Sequence, residues 1–91
     1  MKLSDTISMM TSEDYKERFK AEYYQLNERY ERLKALNTKI EAAEQARCVC
    51  NYDIEEPKHD CPRFVLEEQE RIMSQYLHVL EVRAVIEGIE L

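Results

Sequence analysis

Apolar residues recur every three or four positions along two long stretches of the chain, and a stretch without that rhythm separates them. The first stripe is Tyr15, Phe19, Tyr23, Leu26, Tyr30, Leu33, Leu36 and Ile40. That spacing predicts an amphipathic helix over about 12–46 with an apolar face roughly 100–140° wide, the ordinary width for one neighbour. In the second stretch, Val65, Leu66, Ile72, Met73, Tyr76, Leu77, Val79, Leu80, Ala84 and Ile86 follow at helical spacing. At about 100° per residue they cover roughly half the circumference of a helix running over about 62–87. One partner helix cannot cover so wide a face, so the excess is expected to meet another subunit, another protein or a ligand. Leu66, Ile72, Met73, Tyr76, Leu77, Val79, Leu80 and Ala84 are the expected oligomer interface.

Local signals set the ends. Thr11 and Ser12 precede Glu13 and Asp14, a hydroxyl cap followed by acids in the first turn. Residues 47–61 form a loop: Pro57 disfavours helix at Glu56, and Pro62 suits a first helical position. Gly88 reads as the closing cap of the second helix. Residues 1–10 are expected as a short arm, frayed or one helical turn long. The fold expected is therefore all-α: an antiparallel two-helix hairpin over 11–91 with an N-terminal arm, assembling into a helical oligomer. At about 15 residues the connection exceeds the usual helix–helix link.

Composition narrows the class. The chain has 91 residues, one Gly and two Pro, too few turn formers for a β architecture. Its net charge of −6 argues against a nucleic acid polymer as the main partner, because polymer phosphates demand clustered cations. A small anion is not excluded, since a local cluster can outvote the global charge, but Lys16, Arg18, Lys20, Arg29, Arg32, Lys34 and Lys39 on the first helix are expected to form a solvated face with i,i+4 pairs such as Glu28 with Arg32. Three Cys without a secretion signal point to a reducing cytoplasm, and no stretch approaches the ~20 apolar residues of a membrane span.

Candidate chemistry is sparse. Cys48, Cys50, His59 and Cys61 are the residue types of a tetrahedral zinc set. The Cys-x-Cys gap is tighter than zinc modules use, so the loop is expected to be metal-free with free thiols, and no cofactor is expected. No Gly-rich phosphate loop or nucleophile–base set is present, and His78 stands alone on the outer side of the second helix. An enzyme is not expected. Six Tyr and two Phe are more suggestive. Most belong to the apolar stripe and so to packing, but Tyr24 points away from it. Rings bordered by cations, Tyr15 and Phe19 beside Lys16 and Lys20, are the minimum equipment of a nucleotide pocket.

The run Tyr15-Lys16-Glu17-Arg18-Phe19-Lys20-Ala21-Glu22-Tyr23, with Leu66-Glu67-Glu68-Gln69 and the segment Met73 to Ala84, resembles small helical-hairpin proteins of phages and prophages. The second helix is also similar to the hairpin domain of anti-CBASS and anti-Thoeris sponge proteins. The resemblance covers 12–46 and 62–88 and leaves out the Cys loop and the arm. Those sponge proteins assemble into hexamers and sequester cyclic nucleotide messengers, with an aromatic ring on a base and a Lys or Arg on the phosphate. For this chain the resemblance implies a homo-oligomer in the cytoplasm of an infected or lysogenic bacterium. Its partner would be a cyclic di- or trinucleotide held by residues among Tyr15, Lys16, Phe19, Lys20, Tyr23 and Tyr24. Two alternatives are a protein–protein inhibitor of an immune effector, comparable to an anti-CRISPR factor, and a structural or regulatory hairpin without a ligand. The long loop departs from the compact turn of the sponge hairpins.

Overall fold

A computed structural model describes residues 1–50 and 54–91, with the side chains of 49 and 50 outside the description. Every regular element among them is helical. A 3₁₀ turn, Leu3–Thr6, leads into the short helix α1, Ile7–Met10; then come the long helices α2, Tyr15–Gln45, and α3, Arg63–Glu87. A π-helical turn, Ala46–Cys50, prolongs α2. The molecule measures 54 × 25 × 19 Å. Its long dimension follows from α2, whose 31 residues rise about 46 Å at 1.5 Å each. No described helix is long and apolar enough to cross a membrane.

The start of α2 lies later than the hydroxyl residues suggest. Asp14 is its cap, the carboxylate accepting from Lys16 N–H at 2.9 Å. Ser12 instead accepts from the Asp14 N–H at 3.0 Å and so shapes the turn before the helix. Pro62 is likewise at the cap position of α3 rather than inside it, and its carbonyl accepts from Val65 and Leu66 N–H. Its missing N–H costs nothing there, since a helix start leaves such donors unpaired anyway. Gly88 ends α3 in the left-handed region at φ 69°, where a Cβ would be strained. That turn sends the Ile89 N–H back to the Ala84 carbonyl at 2.8 Å.

The two long helices run antiparallel, as their cross-links show. Tyr15 meets Glu87, Tyr23 meets Glu81, Glu22 meets Tyr76, Asn37 meets Glu70 and Glu44 meets Arg63. Three of these links donate a Tyr hydroxyl to a carboxylate on the other helix. Rings that cover the seam between two helices reach its wet edge with a hydroxyl, which accounts for Tyr where Phe would leave the acid unbonded. Phe19, Leu80, Ala84 and Ile89 form the core at one end, with Tyr23 and Leu26 against it. Ile40, Ala43 and Ala46 are buried towards the other end. The N-terminal arm lies along α2 and is fastened by Thr6, whose buried hydroxyl donates to the Leu3 carbonyl at 2.6 Å and accepts from Gln25 at 2.9 Å.

The broad apolar surface of the second helix divides in two. Leu77, Leu80 and Ala84, expected at a subunit interface, are instead buried inside the chain. Leu66 and Met73 are partly covered, whereas Ile72, Tyr76 and Val79 face solvent together with Val65, Val82 and Ile86. Periodicity could not separate these groups, because both lie within one continuous half of the helical wheel.

Candidate functional site, a groove between the long helices

A groove of about 670 Å³ opens along one side of the α2–α3 seam. Tyr30, Lys34, Asn37, Thr38 and Glu41 line it from α2 at spacings of three and four. Such residues share one helix face, so regular geometry alone aligns them. Arg63, Glu67, Glu70, Arg71, Ser74 and Gln75 form the α3 wall. Lys34 Nζ lies 5.9 Å from the Tyr30 ring centroid, a cation–π arrangement, and has no ion pair among the described residues. Arg71 is held by Glu68, with Nε at 3.0 Å. That pairing holds the Glu68 carboxyl below the ordinary carboxylate range and raises Arg71. Arg63 is tied to Glu44 and Glu67.

Asn37 lies between the walls, only 6% exposed. Its amide nitrogen donates to the Leu66 carbonyl at 3.1 Å and to Glu70 at 2.8 Å. Its buried Oδ1 has no hydrogen-bond partner among the described residues. A buried acceptor left unpaired costs about 1–3 kcal/mol, so nearly all such atoms find a donor. Periodicity concealed Asn37 because a polar residue inside an apolar stripe does not register as part of that stripe.

Chemically the groove presents cations, carboxylates and an aromatic ring within one open volume. Lys34 and Arg71 can meet an anion. Glu41, Glu67 and Glu70 can accept from hydroxyl or amino groups, and Thr38, Ser74 and Gln75 can both donate and accept. A second groove of about 290 Å³ lies where α2, α3 and the arm meet, with Arg18, Gln25, Arg29, Met10 and Tyr76 in its lining.

The ring and cation residues singled out from the sequence are elsewhere. None of Tyr15, Lys16, Phe19, Lys20, Tyr23 and Tyr24 lines either groove. Phe19 is a core residue, packed edge-on to Tyr15 at 6.4 Å and covered by the Arg83 guanidinium at 4.8 Å. Tyr15 is held by Glu87 and Arg83; the bond to Glu87 raises the phenol above its ordinary range and lowers Glu87. Burial, then Glu81, raises Tyr23 in the same direction. Tyr24 packs edge-on to Tyr23 at 5.6 Å, Lys20 pairs with Glu17 at 3.5 Å, and Lys16 is exposed.

In the loop, Cys48 is exposed and Cys61 half-buried, both as free thiols. The Cys50 side chain and residues 51–53 lie outside the described residues. Among the described residues no group of three or more His, Cys, Asp or Glu is arranged to hold a metal ion. His59 is engaged otherwise: Nδ1 faces the Cys61 carbonyl at 2.7 Å and Nε2 faces Glu56 at 3.3 Å, while Arg47 reaches the same Glu56 at 3.2 Å.

In comparison with known proteins, the family model Sequestin aligns with residues 13–86. No curated protein and no solved structure matches the chain.

Proposed function

This chain belongs to the Sequestin family, whose name denotes sequestration and whose span fits a small helical sponge-like anti-defence protein, and from that premise we propose that it binds and sequesters a cyclic nucleotide immune signal. In this reading it is a phage-derived binding protein without turnover, acting as a homo-oligomer in the bacterial cytoplasm. The observation that carries the choice of ligand is the α2–α3 groove, where Tyr30, the Lys34 ammonium, without an ion pair among the described residues, and Arg71 meet hydroxyl and amide groups. A cyclic di- or trinucleotide presents complementary chemistry: flat bases for the ring, phosphates for the cations, and ribose hydroxyls and exocyclic amines for Glu41, Glu67 and Glu70. The unpaired Asn37 Oδ1 at the groove's inner wall supports a ligand or water donor there.

Native mass spectrometry against a panel of cyclic di- and trinucleotides tests the reading, with calorimetry on Lys34→Ala and Arg71→Ala. A charge-assisted hydrogen bond contributes about 1.5–3 kcal/mol, so each variant should weaken binding by roughly 10- to 100-fold. Parallel Lys16→Ala and Lys20→Ala variants locate the cations: losses there, with Lys34 and Arg71 silent, move the site to the first turns of α2. No binding across the panel refutes the nucleotide assignment. It would favour the protein–protein inhibitor, for which the exposed apolar residues of α3 are the supporting feature.

A further inference from the structure

Val65, Ile72, Val79 and Ile86 follow one another on α3 at strict seven-residue intervals. They are 41, 50, 54 and 77% exposed, while the hairpin core takes Leu77, Leu80 and Ala84 from the same helix. Tyr76 and Val82 border the stripe and are also exposed. With these flanks and Phe64, also exposed, the surface amounts to roughly 600–700 Å² of apolar area, above the ~300–600 Å² of the largest patch on a typical monomer. It approaches the ~800 Å² per partner of a stable interface. We propose that this stripe is covered by the same stripe of a second copy of the chain, packed antiparallel about a two-fold axis beside Gln75 and Tyr76.

The residues themselves select that occupant. A seven-residue repeat drifts about 20° per heptad on a straight α-helix, so it stays in contact over some 31 Å only with a helix that supercoils around it. An axis between Gln75 and Tyr76 sets Val65 opposite Ile86 of the second copy and Ile72 opposite its Val79. Each layer then joins a smaller β-branched side chain to a larger one. The same register sets Glu68, bonded to Arg71 in its own chain, opposite Arg83 of the second copy, bonded to Glu87 in its own chain, so an acidic and a basic cluster face each other at both ends. A parallel pair would stack Ile72 on Ile72 and Glu68 on Glu68. A two-fold interface needs a self-complementary surface, and the antiparallel register supplies one.

The pairing also bears on the ligand site, a consequence that rests on the sequestration reading. Gln75 lines the larger groove and Tyr76 the smaller one. Both residues flank the proposed axis, so the second copy would lie at the rim of each groove. Ligand capture would then depend on the pair.

Sedimentation velocity on the full chain at tens of micromolar tests the pairing. The wild type should sediment as a dimer or an even multiple of it. The double variant Ile72→Glu, Val79→Glu should sediment as a monomer with unchanged helical circular dichroism, since neither residue supports the hairpin. For the register, single variants Ile72→Cys and Val79→Cys are mixed and oxidised, and the bonds are mapped by peptide mass spectrometry; a bond between 72 and 79 is expected. A monomeric wild type, an assembly that survives the double variant, or a bond between two copies of residue 72 overturns the proposal. A monomer that still binds a nucleotide sinks the pairing alone; a dimer that binds none sinks only the ligand reading.

Discussion

Leu80 and Val85 lie five residues apart on α3 and should respond very differently to truncation. Leu80 is 1% exposed among Phe19, Ala84 and Ile89, whereas Val85 is 84% exposed. Leu80→Ala removes three buried carbons, a transfer loss of about 2.4 kcal/mol at ~0.8 per methylene. The cavity left behind adds to this, because neighbours on two helices and a capping turn cannot all collapse into it; about 3–4 kcal/mol in total is expected. A chain of this length has roughly 5–14 kcal/mol of stability to lose. The loss corresponds to a fall in melting temperature of about 12–32 °C at 4–8 °C per kcal/mol. Val85→Ala should stay within about 0.5 kcal/mol. Chemical and thermal denaturation followed by circular dichroism at one fixed protein concentration reads both, the fixed concentration being needed because assembly shifts the midpoint. A Leu80→Ala loss below about 1 kcal/mol, or equal losses for the two variants, would refute the placement of the core.

Gly88→Ala should cost about 1–2 kcal/mol, the strain of a Cβ at φ 69°, even though open space surrounds the position; an unchanged denaturation midpoint would mean that this helix end is not held. The loop clasp should depend on pH. The Cys61 carbonyl, then Glu56, raises His59 above the ordinary histidine value, so its contribution is complete below about pH 6.5 and fades as pH rises through the raised value. Arg47, then His59, lowers Glu56, so its contribution is present above about pH 4.3 and fades as pH falls through the depressed value. The His59 ring resonances should titrate with a midpoint above about 6.5. Glu56→Gln should lower that midpoint without restoring it fully, because the carbonyl is the larger cause. A wild-type midpoint at or below the ordinary value contradicts the clasp.

Much of the architecture was legible in the chain because it depends on local rules. Helix length follows from the uninterrupted spacing from Tyr15 to Ile40, and the end of α3 from Gly88, which the left-handed turn requires. The unmatched width of the apolar surface on α3 was equally a sequence property. What periodicity alone could not do was divide that surface, since a wheel gives the angle of a residue but not which angle meets a neighbour. Only the packing of α3 on α2 separated Leu77, Leu80 and Ala84 from Val65, Ile72, Val79 and Ile86. Ile89 escaped notice because it lies beyond the helix, and it joins the core only through the turn at Gly88. The candidate site was the least legible feature. Tyr15 and Phe19 satisfied the pattern of rings beside cations, yet Phe19 faces the core and Tyr15 is bonded to Glu87. Tyr30, Lys34, Arg71 and the half-satisfied Asn37 converge across as many as 41 residues of sequence. Sequence spacing records neighbours along one helix, whereas a groove between two antiparallel helices is set by which residues tertiary packing brings opposite one another.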